Sequence, residues 1–251
     1  MSLFVGCAGW NLRKEFLDLF PRNGTHLQRY AVRLNCVEIN SSFYRSHRKK
    51  TYERWGASTP ADFQFSVKMP KLITHVGRLV NVERETQQFV DEVSGLGSKL
   101  GPILIQLPPS VECDLSNVER FFRALRQLIE TPIVCEPRHL SWFAPKAEGL
   151  MTEYSIGRVA ADPSIVPGAA APGACMQMCY FRWHGSPRMY YSPYDELALG
   201  KLAKLVSTTA SEAQDVWCIF DNTALGAALS NAIALTDIHL PATELDIRRC
   251  R

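Results

Sequence analysis

The chemistry in this sequence is concentrated in polar side chains that stand at the end of short apolar runs. Trp10 follows the first run, Glu38 and Asn40 the second, Lys68 the third and Gln106 the fourth. Glu136, Arg138 and His139 close the fifth, Asp162 the sixth, Arg182 and His184 the seventh, and Asp221 and Asn222 the eighth. Glu38 and Glu136 are a candidate acid/base pair, one carboxyl raised by burial while Lys68 or Arg138 holds the other ionised. Lys68, Arg138 and Arg182 are cations for a phosphate or carboxylate, arginine through its planar fork and lysine as a point charge. His139 and His184 are candidate proton carriers, and Asn40, Gln106 and Asn222 supply orienting hydrogen bonds. The rival reading for any one of these residues is a structural ion pair. For the whole set, burying so many charges at one rim costs several kcal/mol per ion unless geometry repays it, which favours function. A metal reading would draw on Glu38, Glu136, Asp162, His184 and Asp221, but no H-x-E or H-E-x-x-H spacing backs it.

These residues need a scaffold that brings distant segments together. Eight apolar runs read as strands: Phe4–Cys7, Cys36–Ile39, Phe63–Val67, Ile103–Leu107, Ile133–Glu136, Gly157–Ala161, Cys179–Trp183 and Val216–Phe220. They recur roughly every 31 residues, the length of a strand plus a crossover helix. Eight such units suit a TIM (β/α)₈ barrel in which the carboxyl ends of the strands share one mouth. Thr25 to Gln28 reads as a capping box ahead of Leu27, Tyr30, Ala31 and Leu34, and Ser116 to Glu119 as another. Ser192-Pro193 reads as a cap and first helical position. The segment 163–173, PSIVPGAAAPG, cannot hold a regular helix, so the sixth connection is expected to be irregular. No linker or charge block divides the chain, which reads as one domain over 1–251.

Composition narrows the setting. Of 251 residues, 46% are hydrophobic and 21% charged, which excludes disordered, fibrous and membrane-spanning classes. The 28 Lys+Arg against 25 Asp+Glu leave a net charge of +3, too slight to name a partner. The eight cysteines form no CxxC pair, and Cys7, Cys36, Cys135 and Cys218 lie in apolar runs, as buried thiols do in a reducing cytoplasm. The start, MSLFVGCAGWNLRKEF, does not read as a signal peptide, and no apolar run is long enough to span a membrane. Arg45 to Lys50, with Tyr44 and Tyr52 beside it, would suit a nucleic-acid backbone or a solvated helix start. Asp221-Asn222-Thr223 with Gly226 reads as an anion seat or a plain helix cap. No Walker A, G-x-G-x-x-G or G-x-S-x-G motif occurs.

Seven ordered segments carry a resemblance: GCAGW from Gly6, VEINSSFYR from Val37, FSVKMPKLITH from Phe65, LGPILIQLPPS from Leu100, CEPRHLSWF from Cys135, YFRWHG from Tyr180 and FDNTALGAALSNAIAL from Phe220. In these the sequence resembles the DUF72 (YecE-like) family over nearly its whole length. The resemblance implies a TIM barrel and supplies no activity or cofactor. Its motif pattern falls on the strand-end residues above and adds Tyr44 and His75. Pro137 stands where a bulky apolar residue is expected, and Asp221 where a second asparagine is common. The expected function is acid/base catalysis, hydrolase or lyase type, on a small anionic or phosphate-bearing substrate. Glu38, Glu136, Lys68 and His184 would be catalytic; Trp10, Asn40, Tyr44, His75, Gln106, Arg138, His139, Arg182 and Asn222 would bind substrate. The alternatives are a nucleic-acid-binding or nuclease-like protein and a non-catalytic ligand-binding protein.

Overall fold

Residues 2–210 and 213–238 are described by a computed structural model; the ends of the expected single domain, with Cys250, lie outside them. Strands and helices alternate in chain order: β1 (Ser2–Cys7), α1 (His26–Tyr30), β2 (Cys36–Ile39), α2 (Lys49–Ala57), β3 (Gln64–Lys68), α3 (Glu83–Val93), β4 (Leu100–Gln106), α4 (Leu115–Leu128) and β5 (Ile133–Glu136). After these come α5 (Pro145–Glu153), β6 (Ile156–Arg158), β7 (Ala160–Asp162), β8 (Gly173–Ala174), β9 (Met178–Trp183), α6 (Glu196–Ala210), β10 (Asp215–Phe220) and α7 (Ala227–Asp237). All eight expected strands are present, but the sixth is broken at Val159 into β6 and β7. The segment that follows β7 forms a short 3₁₀ turn at Pro167–Ala170 and then β8. None of the described helices is long and apolar enough to cross a membrane.

The result is an α/β fold with two sheets. One is β1-β10-β9-β7, parallel throughout; the other is β2-β3-β4-β5-β6-β8, parallel except for the final β6–β8 pair. The sheets meet at two places. At Val159 the backbone N–H donates to Cys135 O at 2.8 Å while the chain passes from β6 into β7. Between β1 and β2 there is a single parallel bridge, Ala8 to Glu38, and side chains replace the rest of the ladder. The Asn35 amide accepts from Val5 N at 2.9 Å and donates to Leu3 O at 2.7 Å. The buried Tyr30 hydroxyl accepts from Cys7 N at 2.8 Å and donates to Cys36 O at 2.9 Å. Gly6 permits this approach, since a Cβ there would stand 2.2 Å from Cys36 O.

Strand periodicity sorts the core into two layers. Cys36 and Glu38 share one face of β2, as do Val134 and Glu136 on β5, and Tyr180 and Arg182 on β9. The apolar members of these faces gather with Leu104, Trp217 and Ile219 in a small cluster. The opposite faces, with Val37, Cys135, Phe181 and Cys218, join a large cluster with Leu27, Phe89, Phe122, Met151, Val206 and Ile233 from the helices. Burial on both faces explains why the strands read as continuous apolar runs.

Two helix starts differ from expectation. Thr25 does form the reciprocal capping box with Gln28, but α4 is capped by Asp114, whose carboxylate accepts from Ser116 N and Asn117 N. Its α6 counterpart is Asp195, accepting from Ala198 N at 2.8 Å, while Ser192 Oγ accepts from Arg188 N instead. In both cases a carboxylate beside the helix outcompetes a nearby hydroxyl.

Removing the Tyr30 hydroxyl leaves a buried N–H and a buried C=O unpaired at the sheet junction. Tyr30→Phe is expected to lose about 1–3 kcal/mol, measured by urea unfolding. A midpoint and slope equal to wild type would show that the hydroxyl does not hold the junction.

Candidate functional site

Glu38, Lys68, Gln106, Glu136 and Arg182 stand at or near the carboxyl ends of β2, β3, β4, β5 and β9, on the face of the small cluster. His184 follows β9 and Asp221 follows β10. Because the strands run parallel where they bear these groups, the side chains converge at one end of the sheets.

Arg182 is the centre, with 0% of its surface exposed. It grips Glu38 through two parallel bonds, Nε to Oε2 at 2.9 Å and Nη2 to Oε1 at 2.7 Å. Nη1 donates to Glu136 Oε2 at 2.7 Å and Nη2 to Asp221 Oδ2 at 3.0 Å. The guanidinium is held even more firmly charged than usual, burial being outweighed by Glu38, Asp221 and Glu136. Tyr180 completes Glu38, donating to Oε2 at 2.9 Å and sharing a second bond of 2.9 Å with Ser66 Oγ.

His184 lies between two carboxylates, Nδ1 at 3.0 Å from Asp221 Oδ2 and Nε2 at 3.1 Å from Glu136 Oε1. Only an imidazolium offers a donor to both. Its pKa is accordingly raised: burial opposes the charge, and Glu136 and the bonds to Asp221 and Glu136 prevail. Glu136 also accepts from Arg138 Nε at 2.9 Å. Burial pushes its carboxyl up, yet His184, Arg182 and Arg138 hold it well below the usual range. Asp221 is lowered likewise, against burial, by Arg182 and His184. Of the expected pair, Glu136 takes the part of the carboxyl held ionised, by His184 and Arg182 as well as by Arg138.

Lys68 differs from the other cations. It is 6% exposed, and its Nζ makes no hydrogen bond or ion pair among the described residues; it sits over the Phe43 ring at 4.2 Å. Among the described residues three fully enclosed side-chain atoms lack hydrogen-bond partners, Asn40 Oδ1, Trp217 Nε1 and Asn222 Oδ1, and Lys68 Nζ is not one of them, so it keeps some contact with solvent. Burial, reinforced by Arg182 and opposed by the three carboxylates, brings its pKa down to about 8. His75 packs edge-on to the same Phe43 ring at 4.8 Å, bonds Thr74 Oγ1 at 2.8 Å, and is lowered by burial and by the charges of Lys68 and Arg138. Arg138 turns its Nη atoms to Tyr190 Oη at 3.2 and 3.3 Å. Tyr190 holds a left-handed backbone, φ 69°, strain of the kind retained where a side chain must be aimed.

A family model described as "Protein of unknown function DUF72" matches residues 4–245. This chain belongs to the DUF72 family. It is 24% identical to the UPF0759 protein YunF of Bacillus subtilis (strain 168) over 270 residues, spanning 94% of each protein. It is 31% identical to the UPF0759 protein YecE of Escherichia coli (strain K12) over 107 residues, 42% of this chain and 38% of YecE. Two solved DUF72 structures share the fold at 22% identity and 94% coverage of this chain. One, from Enterococcus faecalis V583, has a TM-score of 0.79 and is covered to 94%; the other, from Thermotoga maritima MSB8, has 0.77 and is covered to 98%.

Within this DUF72 chain, the structure brings Glu38, Lys68, Glu136, Arg138, Arg182 and His184 into one cluster, with His75 at its edge. Gln106 lies on the same side, its amide donating to Leu107 O at 3.1 Å. Asn222 donates to Ser192 O and Asn231 Oδ1. Of the other four, Asn40 directly follows β2, its Oδ1 enclosed without a hydrogen-bond partner, and three make their contacts outside the cluster. His139 caps the turn Leu140–Phe143, its Nδ1 accepting from Ser141 N at 3.3 Å. Trp10 packs edge-on to Trp55 at 5.0 Å, and Tyr44 is 69% exposed beside Phe43. Among the described residues no group of three or more His, Cys, Asp and Glu side chains is placed to hold a metal; Asp162 of the metal reading accepts from Tyr194 Oη at 2.6 Å. Tyr180, Ser66, Phe43 and Tyr190 were outside the expected set. For the first two a signal existed, since each precedes a site residue by two positions on a strand and so shares its face.

Two predictions follow from the ionic geometry. Glu38→Ala leaves Arg182 buried without its bidentate partner and should cost about 3–5 kcal/mol. Thermal unfolding would then fall by roughly 2–4 °C for each of those kcal/mol, and a shift below 3 °C would contradict the coupling. The pH dependence has two limbs. Glu136 and Asp221, lowered from 4.5 and 3.8, stabilise fully above pH 4.5, and this is lost as pH falls through their folded values. His184, raised from 6.5, stabilises fully below pH 6.5, and this is lost as pH rises through its folded value. Wild-type stability should thus peak between pH 4.5 and 6.5, and His184→Gln should flatten the alkaline limb between pH 6.5 and 8, read by melts across pH.

Proposed function

We propose that this DUF72 chain is an acid/base enzyme, of hydrolase or lyase type, acting on a small anionic or phosphate-bearing substrate at the mouth of a single-domain (β/α)₈ barrel. The barrel reading is supported by the Ala8–Glu38 bridge, the Asn35 and Tyr30 links, and the direct passage of the chain from β6 through Val159 into β7, where Val159 N donates to Cys135 O. Taken as two arcs of one cylinder, the sheets place the small apolar cluster inside and the ionic residues at the carboxyl end, where barrels of this kind carry chemistry. Buried thiols such as Cys7 and Cys36 suit a reducing, cytoplasmic setting.

The observation that carries the functional reading is Lys68. Arg182, Arg138 and His184 already have carboxylate partners, whereas the Lys68 ammonium has none. A buried cation without a counter-ion is a site for an anion from outside. Lys68 and the outer N–H groups of Arg138 bind it, with His75 beside them. Arg182, with four of its N–H bonds taken, is a positioning residue that fixes Glu38, Glu136 and Asp221. Glu136, ionised beside the His184 imidazolium, forms with it the proton-transferring pair.

Inorganic phosphate and citrate, each titrated in thermal-shift assays, should stabilise the wild type below pH 8 and much less above it, as Lys68 loses its charge. Lys68→Ala should abolish the effect; equal stabilisation of both proteins would end the proposal. A second reading, nucleic-acid binding, draws on exposed Tyr44 beside exposed Arg45, Arg48, Lys49 and Lys50. It requires binding of a single-stranded oligonucleotide whose log affinity falls by about 0.7 per neutralised phosphate against log salt. No binding at low salt removes it.

A further inference from the structure

We infer that Lys68 is a covalent nucleophile that forms an imine with a small aldehyde or ketone carrying an anionic group. This rests on the anion site proposed above and names its substrate class. An amine serves as a nucleophile when it is neutral, unbonded and reachable, and lysine meets those conditions in a desolvated pocket or beside another cation. Lys68 has both surroundings. Its Nζ lies on the Phe43 ring at 4.2 Å, with no hydrogen-bond partner among the described residues to occupy its hydrogens or its lone pair, and it keeps contact with solvent although the residue is only 6% exposed. Arg182 is near enough for its charge to disfavour the ammonium of Lys68, and is itself fully charged and unable to receive a proton. With a pKa of about 8 in place of 10.5, the neutral fraction at pH 7 is roughly 300 times that of an ordinary lysine.

The neighbours supply the other half of the recognition. Lys68 and Arg138 both act on the charge of His75, so the three share one rim. Once Lys68 is neutral, the Nη groups of Arg138, braced by Tyr190, remain to hold the substrate's anionic group while the carbonyl carbon reaches Nζ. The lone pair of Nζ forms the C–N bond as the C=O π pair moves to oxygen. Nitrogen then passes one hydrogen to the former carbonyl oxygen, a second proton comes from solvent, and that oxygen leaves as water as the C=N bond closes, nitrogen keeping its other hydrogen as the protonated imine. Nothing is oxidised or reduced. The protonated imine is an electron sink for cleavage of an adjacent C–C or C–H bond, which selects lyase over hydrolase chemistry.

Pyridoxal 5′-phosphate, an aldehyde bearing a phosphate, is a direct probe. Wild-type protein is mixed with it at a series of pH values, followed by imine absorbance, reduced with borohydride and mapped by peptide mass. The expected result is a saturable adduct on Lys68, formed at pH 7 at least about tenfold faster than on exposed Lys14 or Lys146, with a rate that rises through pH 8 and is suppressed by inorganic phosphate. Label on Lys14 and Lys146 with Lys68 unmodified, or a Lys68 rate that rises only near pH 10.5, overturns the inference. Lys68→Arg tests retention of phosphate binding without the adduct; should it fail to fold, the wild-type map and the phosphate competition decide alone. Phosphate stabilisation without a Lys68 adduct overturns the imine and leaves the anion site standing. A Lys68 adduct without phosphate stabilisation overturns the anion site and leaves the nucleophile standing.

Discussion

A guanidinium with none of its surface in water has to be neutralised on every side it presents, and Arg182 imposes that condition on the molecule. Its partners come from β2, β5 and the residue after β10. Arg182 belongs to the parallel four-stranded sheet, which Asp221 directly follows, and Glu38 and Glu136 to the six-stranded one. The ionic cluster therefore fastens one sheet to the other at their carboxyl ends, while Tyr30 and Asn35 do so along β1 and β2. Exchanging such a cluster for apolar side chains often leaves stability equal or better. Its stability effect therefore does not explain its presence as well as the orientation it imposes on His184 and the charge it exerts on Lys68 do.

Much of the fold is legible in the sequence because of how its strands are buried. With both faces covered they become short apolar runs, and Cys36–Ile39 and Ile133–Glu136 coincide with the strands observed. The sixth strand is less legible: a break at Val159 leaves no mark in the run Gly157–Ala161. Helix starts at Asp114 and Asp195 were obscured by nearby Ser116 and Ser192, since a hydroxyl and a carboxylate compete for the same free N–H groups and the sequence alone does not show which is in reach.

The candidate site was legible in part for a similar reason. A polar residue closing an apolar run is visible, and Glu38, Lys68, Glu136, Arg138, Arg182 and His184 do meet. What spacing does not reveal is the pairing. That Arg182 would be consumed by three carboxylates, leaving Lys68 without one, depends on distances between segments 39 to 144 residues apart. Likewise His139, one residue from Arg138, turns back to cap its own turn, because neighbours along an irregular segment need not point the same way.

The side-chain links between β1 and β2 have a consequence for how the molecule tolerates change. In a backbone ladder the N–H and C=O groups pair whatever side chains are carried, so drift in sequence leaves the register intact. Where Tyr30 and Asn35 take over that pairing, the register is encoded in two particular residues, and a point substitution can unpick it without touching a strand.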